Sequence, residues 1–482
     1  GVASSSASDT EAVGVNRPGS INIDQTGLTA GKDYYAKNDG TIVERTTTTT
    51  TADTTLTNTS YVTSSINSGN NAPDISYDAV SDRYIKSWRG TSDYPQISIG
   101  TYDSSTKVVT WATPVTITSY STRGYVLNDV NPAGVVALSW CLRVTAGTPT
   151  DIIKLLTATI NTSSNTLNNL LSSANVVSST SEDYYTNGVV WDAGSSRFVA
   201  TWTTPQSTPS YTVYANVFEV ASDPNNEAVW SSSNQVTVDN TNGNDHLAEK
   251  GYNLIYDPDT QRTVSFFKTK DGSNNTRFGG RVLSISGNTI TVGAKATWSL
   301  APYNSNDNVF ACTYDTQNNK IIAVIRDTVN TYPSAYYSFV TVTGGSTNTI
   351  SFSTGTQLTS FGAEDYNLAF DTDYNRLILL ARNNSNSNYP TQMIFTSDGS
   401  TLTEVSSTNI DNSLTITKNI QYGSVFVSGR GIAYSTPNDQ ATYGDVESWS
   451  AYFGTTTSTV VNGTQFVGTA RSGTDLELSE SP

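Results

Sequence analysis

The sequence predicts an all-β protein that folds as a β-propeller of seven four-stranded blades. Only 14% of the 482 residues are charged, and Thr, Val and Tyr are abundant. These side chains suit a pleated, half-buried surface better than a helix. A β-hairpin pattern also recurs along the chain, at intervals of roughly 51 to 65 residues. Periods of this length are typical of propellers and other repeat arrays.

The clearest hairpin runs from Tyr366 to Arg382 and has a polar strand, a tight turn and a more apolar strand. An acidic residue beside the turn marks the phase of six units, and the seventh hairpin turns at Gly429. The second unit, around Asn131-Pro132-Ala133-Gly134, is shortened. The phase markers are Asp78, Asp129, Asp192, Asp257, Asp315 and Asp371.

Each unit holds four short strands, which in the fifth unit cover 309–314, 320–326, 335–343 and 349–358. A further short strand precedes each new hairpin and is predicted to be outermost in the previous blade. The N-terminal strand 61–66 has this place before the first unit, so we expect it to complete the last blade and close the ring. The other outer strands are predicted at 115–118, 176–179, 236–238, 297–299, 357–359 and 415–417.

Three domains follow from this count. Residues 56–457 form the propeller, residues 1–55 one part of a small β stem module, and residues 458–482 its other part or a link to a next module. The strands expected at 20–43 and 464–470 would pair within this module. The chain begins at Gly1 and its only methionine is Met393, so we expect a segment upstream of Gly1.

Charge and composition exclude several classes of function. A net charge of −16 disfavours nucleic-acid binding and docking on an anionic membrane. No apolar run is long enough to cross a bilayer, so membrane insertion is not expected. The single histidine, His246, cannot form a His-based zinc site. The two cysteines, Cys141 and Cys312, lie in apolar strand patterns and are expected to be free thiols.

No catalytic residue, metal site or cofactor is predicted. Asp257-Pro258-Asp259 and Asp371-Thr372-Asp373 are interpreted as turns, with a calcium site as the alternative. The acid pairs Glu182-Asp183 and Glu364-Asp365 could serve glycoside hydrolysis, but no catalytic signature accompanies them. The chain is therefore not expected to be an enzyme.

Recurring aromatic residues divide into two sets. Trp88, Trp140, Trp202 and Phe267 end second strands, which predicts packing between blades. Tyr94, Tyr332 and Tyr389 each precede a proline between the second and third strands; they are the candidate receptor-binding residues, with a role in the fold as the alternative.

Loop lengths predict where function lies. The turns between strands one and two, and three and four, are short and alike, whereas the second-to-third loops and the connections between blades are expected to vary. In an up-and-down blade the two varying sets emerge on one face. Variable loops on a rigid scaffold are typical of a binding surface.

The repeats resemble those of tail-fibre and other virion appendage proteins of tailed bacteriophages. The pattern Tyr-Asp-x-Asp-x-x-x-Arg/Lys and the segment 349–356 carry this resemblance, as do the flanks 27–41 and 466–470. It implies an extracellular virion surface protein whose partners are other virion proteins and a host-surface glycan or protein, and homo-oligomers are compatible with it. The alternatives are a purely structural decoration module and an envelope polysaccharide-degrading propeller enzyme.

Overall fold

The computed structural model divides the chain into two compact units, residues 1–53 with 453–482, and residues 54–452. In both units the described residues lie almost entirely in strands and in the turns that join them. The residues that the structure describes are 2–3, 15–16, 21–22, 33–36, 42–44, 49–65, 73–144, 150–168, 174–179, 185–205, 211–220, 228–240, 254–271, 273, 276–300, 310–326, 334–345, 347–412, 423–438, 445–458, 465–470 and 476–478.

The smaller unit is a β module that both chain ends build together. Its strands are Val2–Ala3 (β1), Val15–Asn16 (β2), Ile21–Asn22 (β3), Asp33–Ala36 (β4), Ile42–Glu44 (β5), Gln465–Ala470 (β39) and Leu476–Leu478 (β40). Strands β1 and β2 pair, and the others form one sheet in the order β3-β40-β39-β4-β5. The predicted pairing between the two ends of the chain is confirmed.

The larger unit is a seven-bladed propeller in which neighbouring strands of a blade are antiparallel. Blades 1 to 3 comprise Asp74–Asp78 (β7), Arg83–Arg89 (β8), Pro95–Asp103 (β9), Val108–Trp111 (β10) and Val115–Thr116 (β11); Ser121–Val130 (β12), Val135–Val144 (β13), Thr150–Asn161 (β14), Thr166–Leu167 (β15) and Ala174–Ser179 (β16); and Tyr185–Asp192 (β17), Arg197–Pro205 (β18), Tyr211–Val220 (β19), Ala228–Trp230 (β20) and Val236–Asp239 (β21). Two short 3-10 turns lie at Thr91–Asp93 and Ser232–Asn234.

Blades 4 to 7 repeat this arrangement. Their strands are Leu254–Asp257 (β22), Arg262–Lys270 (β23), Thr276–Ser286 (β24), Thr289–Val292 (β25) and Ala296–Thr297 (β26); Phe310–Asp315 (β27), Lys320–Arg326 (β28), Ala335–Thr343 (β29), Thr349–Phe352 (β30) and Thr356–Gln357 (β31); Ala363–Asp371 (β32), Arg376–Asn383 (β33), Tyr389–Ser397 (β34) and Leu402–Asn409 (β35); and Gly423–Val427 (β36), Gly431–Asn438 (β37), Asp445–Ser458 (β38) and Thr49–Ser65 (β6).

The ring closes as predicted. The innermost strands contact one another in the cycle β7-β12-β17-β22-β27-β32-β36 and back to β7. Strand β6, from the N-terminal side of the ring, is the outermost strand of blade 7 beside β38. This pairing covers an edge of β38 that would otherwise present unpaired backbone groups.

The outer strand of blades 1 to 5 is broken into two pieces that pair with the same third strand. In blade 1, both β10 and β11 pair with β9. The predicted segments before each new hairpin are therefore the second halves of outer strands, and they belong to the preceding blade as expected. The outer strand predicted at 415–417 lies outside the described residues.

The hydrophobic core lies between blades. Each described cluster of buried apolar side chains spans two neighbours, as where Ile85 and Ile99 of blade 1 meet Leu138 and Trp140 of blade 2. Burying one such side chain contributes about 1.5–3 kcal/mol. The predicted aromatic set is confirmed as core, because its members are at most 2% exposed: Trp88, Trp140, Trp202 and Phe267.

Both cysteines are free thiols, as predicted: Cys141 is buried and Cys312 is partly buried. Burial raises the pKa of the Cys312 thiol well above its usual value, which favours the inert, protonated form. Among the described residues, no helix is long and apolar enough to cross a membrane.

Candidate functional site

The antiparallel blades divide their connections between two faces of the ring. Connections from the first to the second strand and from the third to the fourth emerge on one face, which we call the turn face. Connections from the second to the third strand and from one blade to the next emerge on the other, which we call the loop face. The central channel joins the two.

The first turns of the turn face have nearly constant length. Four residues separate the first two strands in blades 1 to 6, as with residues 79–82 in blade 1, and three residues, 428–430, do so in blade 7. The predicted uniformity of this face is confirmed for these turns. It was wrong for the turns between the third and fourth strands, which range from two residues at 287–288 to seven at 221–227.

The acidic residue at these turns is buried and bound by the turn's own backbone. Asp257 accepts the N–H of Asp259 at 3.0 Å, and Asp371 accepts the N–H of Asp373 at 2.9 Å. Asp315 likewise accepts the N–H groups of Gln317 and Asn318, both at 3.0 Å. These bonds are the predicted turn chemistry.

In blade 2 the residue that holds the first turn is not the aspartate predicted from the sequence. The turn there is held by Asn131, whose side-chain oxygen accepts the N–H groups of Ala133 at 3.0 Å and Val135 at 2.9 Å. The marker assigned from the sequence, Asp129, lies two residues earlier and points toward blade 3, where it accepts the N–H of Trp191 at 2.6 Å. The assignment was wrong because an amide can accept the same backbone bonds as a carboxylate.

In blades 1, 3, 4 and 5 the second strand opens with a basic residue, which links the blade to the next across the turn face. Arg83 of blade 1 donates through Nε to Asn165 of blade 2 at 3.0 Å. Equivalent bonds join Arg197 to Asn288 and Arg262 to Asn348, both at 3.1 Å, and Lys320 to the carbonyl oxygen of Gly399 at 2.8 Å.

At the last interface, between blades 7 and 1, Arg430 pairs with Asp82 at 2.5 Å. Its guanidinium also lies 5.3 and 5.0 Å from the ring centroids of Tyr77 and Tyr102. The turn face is thus interlocked by polar contacts, which rigidify the ring.

Loop-face connections differ from expectation in one respect. The connections between the second and third strands are nearly uniform: five residues in five blades, as at 90–94, with eight at 327–334 and six at 439–444. The predicted variability of this set was wrong. The apparent loops included the ends of long strands, since β18 and β23 continue well past their apolar residues.

Variability is concentrated in the connections between blades. Three are long: 240–253 with fourteen residues, 298–309 with twelve, and 410–422 with thirteen. The four others contain between four and eight residues, as at 117–120. Two of the long connections enter and leave blade 4.

The predicted tyrosines lie on this face where the structure describes them. Tyr94 ends the connection before β9, and its carbonyl oxygen accepts the N–H of Gly90 at 2.7 Å. Tyr389 is the first residue of β34 and pairs with Asn383. Both side chains are partly buried, and Tyr332 lies outside the described residues. Their role as receptor-binding residues stays a prediction.

One aromatic residue that the repeat pattern does not single out is more exposed than Tyr94 and Tyr389. Tyr120 lies in the short connection between blades 1 and 2 and is 55% exposed. Its neighbours Ser119 and Ser121 are polar, and this flanking pattern could have indicated an exposed ring in a short loop.

The central channel contains a cavity of about 380 Å³ between the innermost strands of blades 1 to 4 and 7. Polar side chains line it at blades 1 and 2. Asp74 accepts the N–H of Asn128 at 2.7 Å, and the Asn128 amide donates to Ser87 at 2.7 Å. Ser76 donates to the Asn128 side-chain oxygen. These bonds join the innermost strand of blade 2 to the first two strands of blade 1, with which it shares no sheet ladder.

Two carboxyl groups in the ring are held in their protonated form more readily than usual. Burial raises the pKa of Asp129 to about 6, against the opposing effect of the N–H groups of Trp191 and Val130. Burial likewise raises the pKa of Asp371 to about 6. One oxygen of Asp371 has no hydrogen-bond partner. The equivalent oxygen of Asp315 accepts a hydrogen bond from the hydroxyl of Ser397 in the next blade.

The described residues form no group of three or more His, Cys, Asp or Glu side chains that could hold a metal. His246 and the pair Glu182-Asp183 lie outside the described residues, as do the side chains of Glu364 and Asp365. The absence of catalytic activity and of a calcium site therefore stays a prediction.

No protein-family model matches the sequence, and a search of curated proteins gave no match. Solved structures are similar in fold. A protein of unknown function from Dyadobacter fermentans covers 83% of this chain and 99% of its own at 12% identity and a TM-score of 0.45.

A protein provisionally named 6-phosphogluconolactonase, from Bacteroides fragilis, is similar over 73% of this chain and 95% of its own at 10% identity and a TM-score of 0.46. A mutant of AofleA from Arthrobotrys oligospora is similar over 89% and 93% at 9% identity and a TM-score of 0.40. These similarities concern the propeller fold alone.

Proposed function

We propose that this chain is a surface protein of a tailed-bacteriophage virion, in a tail fibre, spike or other appendage, and that its propeller binds a glycan on the host envelope. The assignment to a virion rests on the resemblance of the repeats and flanking segments. The placing of recognition on the loop face rests on one structural observation: the long connections 240–253, 298–309 and 410–422 all leave the ring there. The interlocked turn face supplies the rigid support that a binding loop needs.

The composition of the three long connections suits a glycan. Each contains asparagines, whose amide groups can both donate to and accept from sugar hydroxyls, and each contains one tyrosine. These tyrosines are Tyr252, Tyr303 and Tyr422. Aromatic rings supply large contact areas at small cost in conformational entropy.

The net charge of the protein restricts the class of glycan that it is expected to bind. A protein with a net charge of −16 repels a polyanionic polysaccharide at long range. We therefore expect a neutral or amine-bearing envelope glycan to bind more tightly than an acidic capsule.

The first prediction concerns the longest connection. Replacing 240–253 with a five-residue linker, the length found between blades 2 and 3, is expected to weaken glycan binding at least about tenfold, because one buried charge-assisted or aromatic contact is worth about 1.5–3 kcal/mol. The measurement is binding of the full chain to a panel of immobilised envelope polysaccharides. A matched control shortens the turn-face connection 221–227 to four residues.

The outcomes separate the alternatives. Loss in the first variant with retention in the control supports recognition by the loop face. Equal affinities of both variants and the unaltered chain would contradict it. If the unaltered chain binds no polysaccharide, a decoration module becomes the better account, and shortening of the polysaccharide during incubation would instead establish an enzyme.

A further inference from the structure

A groove of about 330 Å³ opens on the turn face between blades 1, 2 and 3. Blade 1 contributes Tyr77 and the turn residues Ala79 and Val80, blade 3 contributes Trp191, and blade 2 contributes the rest. Its principal lining residues are Tyr77, Val80, Asp129, Val130, Pro132 and Trp191. The proposed glycan site does not use this groove, which lies on the opposite face of the ring.

The groove contains one carboxylate, and apart from Asn131 and Tyr77 its other lining residues are apolar or aromatic. Asp129 accepts the backbone N–H groups of Trp191 and Val130, and no cationic side chain among the described residues contributes to its titration. Burial raises the pKa of Asp129 to about 6, so the group is mainly ionised at neutral pH although it is poorly solvated. A partly buried carboxylate without a cationic partner is stabilised when a cation is placed beside it.

The same face already shows how this chain holds a cation. At the interface of blades 7 and 1, the guanidinium of Arg430 lies against the rings of Tyr77 and Tyr102 and pairs with Asp82. Arg430 is the last residue before its blade's second strand. The residue at that place in blade 2 is Gly134, so blade 2 supplies no cation from this position.

We propose that this groove binds a basic side chain, arginine or lysine, presented by a partner polypeptide that docks on the turn face. The carboxylate of Asp129 would pair with the guanidinium or ammonium group, and the ring of Trp191 would supply a cation–π contact. Val80 and Pro132 would cover the aliphatic stem.

The surroundings favour a polypeptide as the source of the cation. The cavity has room for one side chain, so most of a larger partner would lie outside it. Val80 is 65% exposed at its rim, which offers apolar contact to the residues beside the basic one. The net charge of −16 attracts a basic partner surface. This inference does not depend on the proposed glycan binding.

The test uses the full chain labelled with 5-fluorotryptophan, and the Trp191 resonance is assigned with Trp191→Phe. Titration with Nα-acetyl-arginine amide is expected to shift this resonance with a dissociation constant on the order of 1 mM, typical of a ligand of this size. Nα-acetyl-norleucine amide, a neutral probe with an aliphatic side chain, is expected to shift it at least tenfold more weakly. Melting temperatures verify that each labelled variant is folded.

Two carboxylate variants complete the experiment. Asp129→Asn is expected to weaken binding of the arginine probe at least about tenfold, because the charge is lost while an acceptor for the Trp191 N–H remains. Asp74→Asn, a matched change in the central channel and outside the groove, is expected to leave binding unchanged. The proposal is overturned if 20 mM of the arginine probe leaves Trp191 unshifted, if the two probes bind equally, or if Asp129→Asn binds as tightly as the unaltered chain.

Discussion

Lys86→Met is expected to raise the melting temperature of the protein by several degrees at pH 7 and below. Lys86 is fully buried between blades 7 and 1. Its Nζ donates to Ser448 at 2.9 Å and lies 5.1 and 4.6 Å from the ring centroids of Trp88 and Trp111. No carboxylate among the described residues contributes to its titration.

Desolvation lowers the pKa of Lys86 to about 7, far below that of an exposed lysine. Below pH 7 the amine is charged in both the folded and the unfolded chain, so the full cost of burying the charge lowers the free energy of unfolding. Between about pH 7 and 10.5 only the unfolded chain keeps the proton, and stability therefore rises with pH. Methionine, of similar size and no charge, is expected to gain about 2–4 kcal/mol below pH 7.

The measurement is calorimetric melting of both proteins from pH 6 to pH 9.5. The advantage of Lys86→Met should be largest at pH 6 and shrink toward pH 9.5. Lys107→Met, in a turn of the same blade, is the control and should change the melting temperature little at any pH. An unchanged or lowered melting temperature for Lys86→Met at pH 6 would contradict this account of the interface.

Removal of residues 1–66 is expected to lower the melting temperature of the ring by at least about 10 °C. The truncation deletes β6, the fourth strand of blade 7, and leaves β38 with an unpaired edge. It also removes Leu56, which is 6% exposed. The carbonyl oxygen of Leu56 accepts a hydrogen bond from the side-chain amide of Gln392 in blade 6 at 3.4 Å. Both blades 6 and 7 therefore lose contacts.

A second truncation, of residues 1–48, separates closure of the ring from loss of the terminal module. It removes β1 to β5 and keeps β6. The ring transition should then stay within a few degrees of that of the full chain. If both truncations melt alike, β6 does not fasten the ring.

The repeat carried most of the fold prediction. An acidic turn after Tyr77, Tyr256 and Tyr314 fixed the phase of the blades, and the number of strands per period fixed their size. Closure followed because one strand before Asp74 had no blade of its own. These features depend on local patterns, which one sequence displays.

The sequence-based predictions were wrong where one polar residue substitutes for another in a turn, and where polar residues extend a strand. Asn131 replaces the aspartate in the turn of blade 2, so the pattern of acids points instead to Asp129, the acid nearest in sequence. Thr, Lys and Pro at the ends of β18 and β23 looked like loop residues, although pairing with the neighbouring strand continues through them. Polar residues can extend a strand when the partner strand is long enough.

The polar contacts between blades were the hardest features to predict from the sequence. The alternation Tyr84, Lys86, Trp88 places the lysine on the same side of the strand as two large rings, a sign of burial that could have been used. In contrast, the groove at Asp129 combines three blades. It brings together residues as far apart in sequence as Tyr77 and Trp191, which a local pattern does not reveal.

We propose that the loop face recognises the host surface and that the turn face does not. Tyr120 and Val80 are exposed residues on opposite faces, at 55% and 65%. The variants Tyr120→Cys and Val80→Cys, each coupled through the new thiol to a polyethylene glycol of about 5 kDa, would block one face at a time. Polysaccharide binding is predicted to be lost when the polymer is at position 120 and kept when it is at position 80. Retained binding with position 120 blocked, together with loss at position 80, would contradict the account.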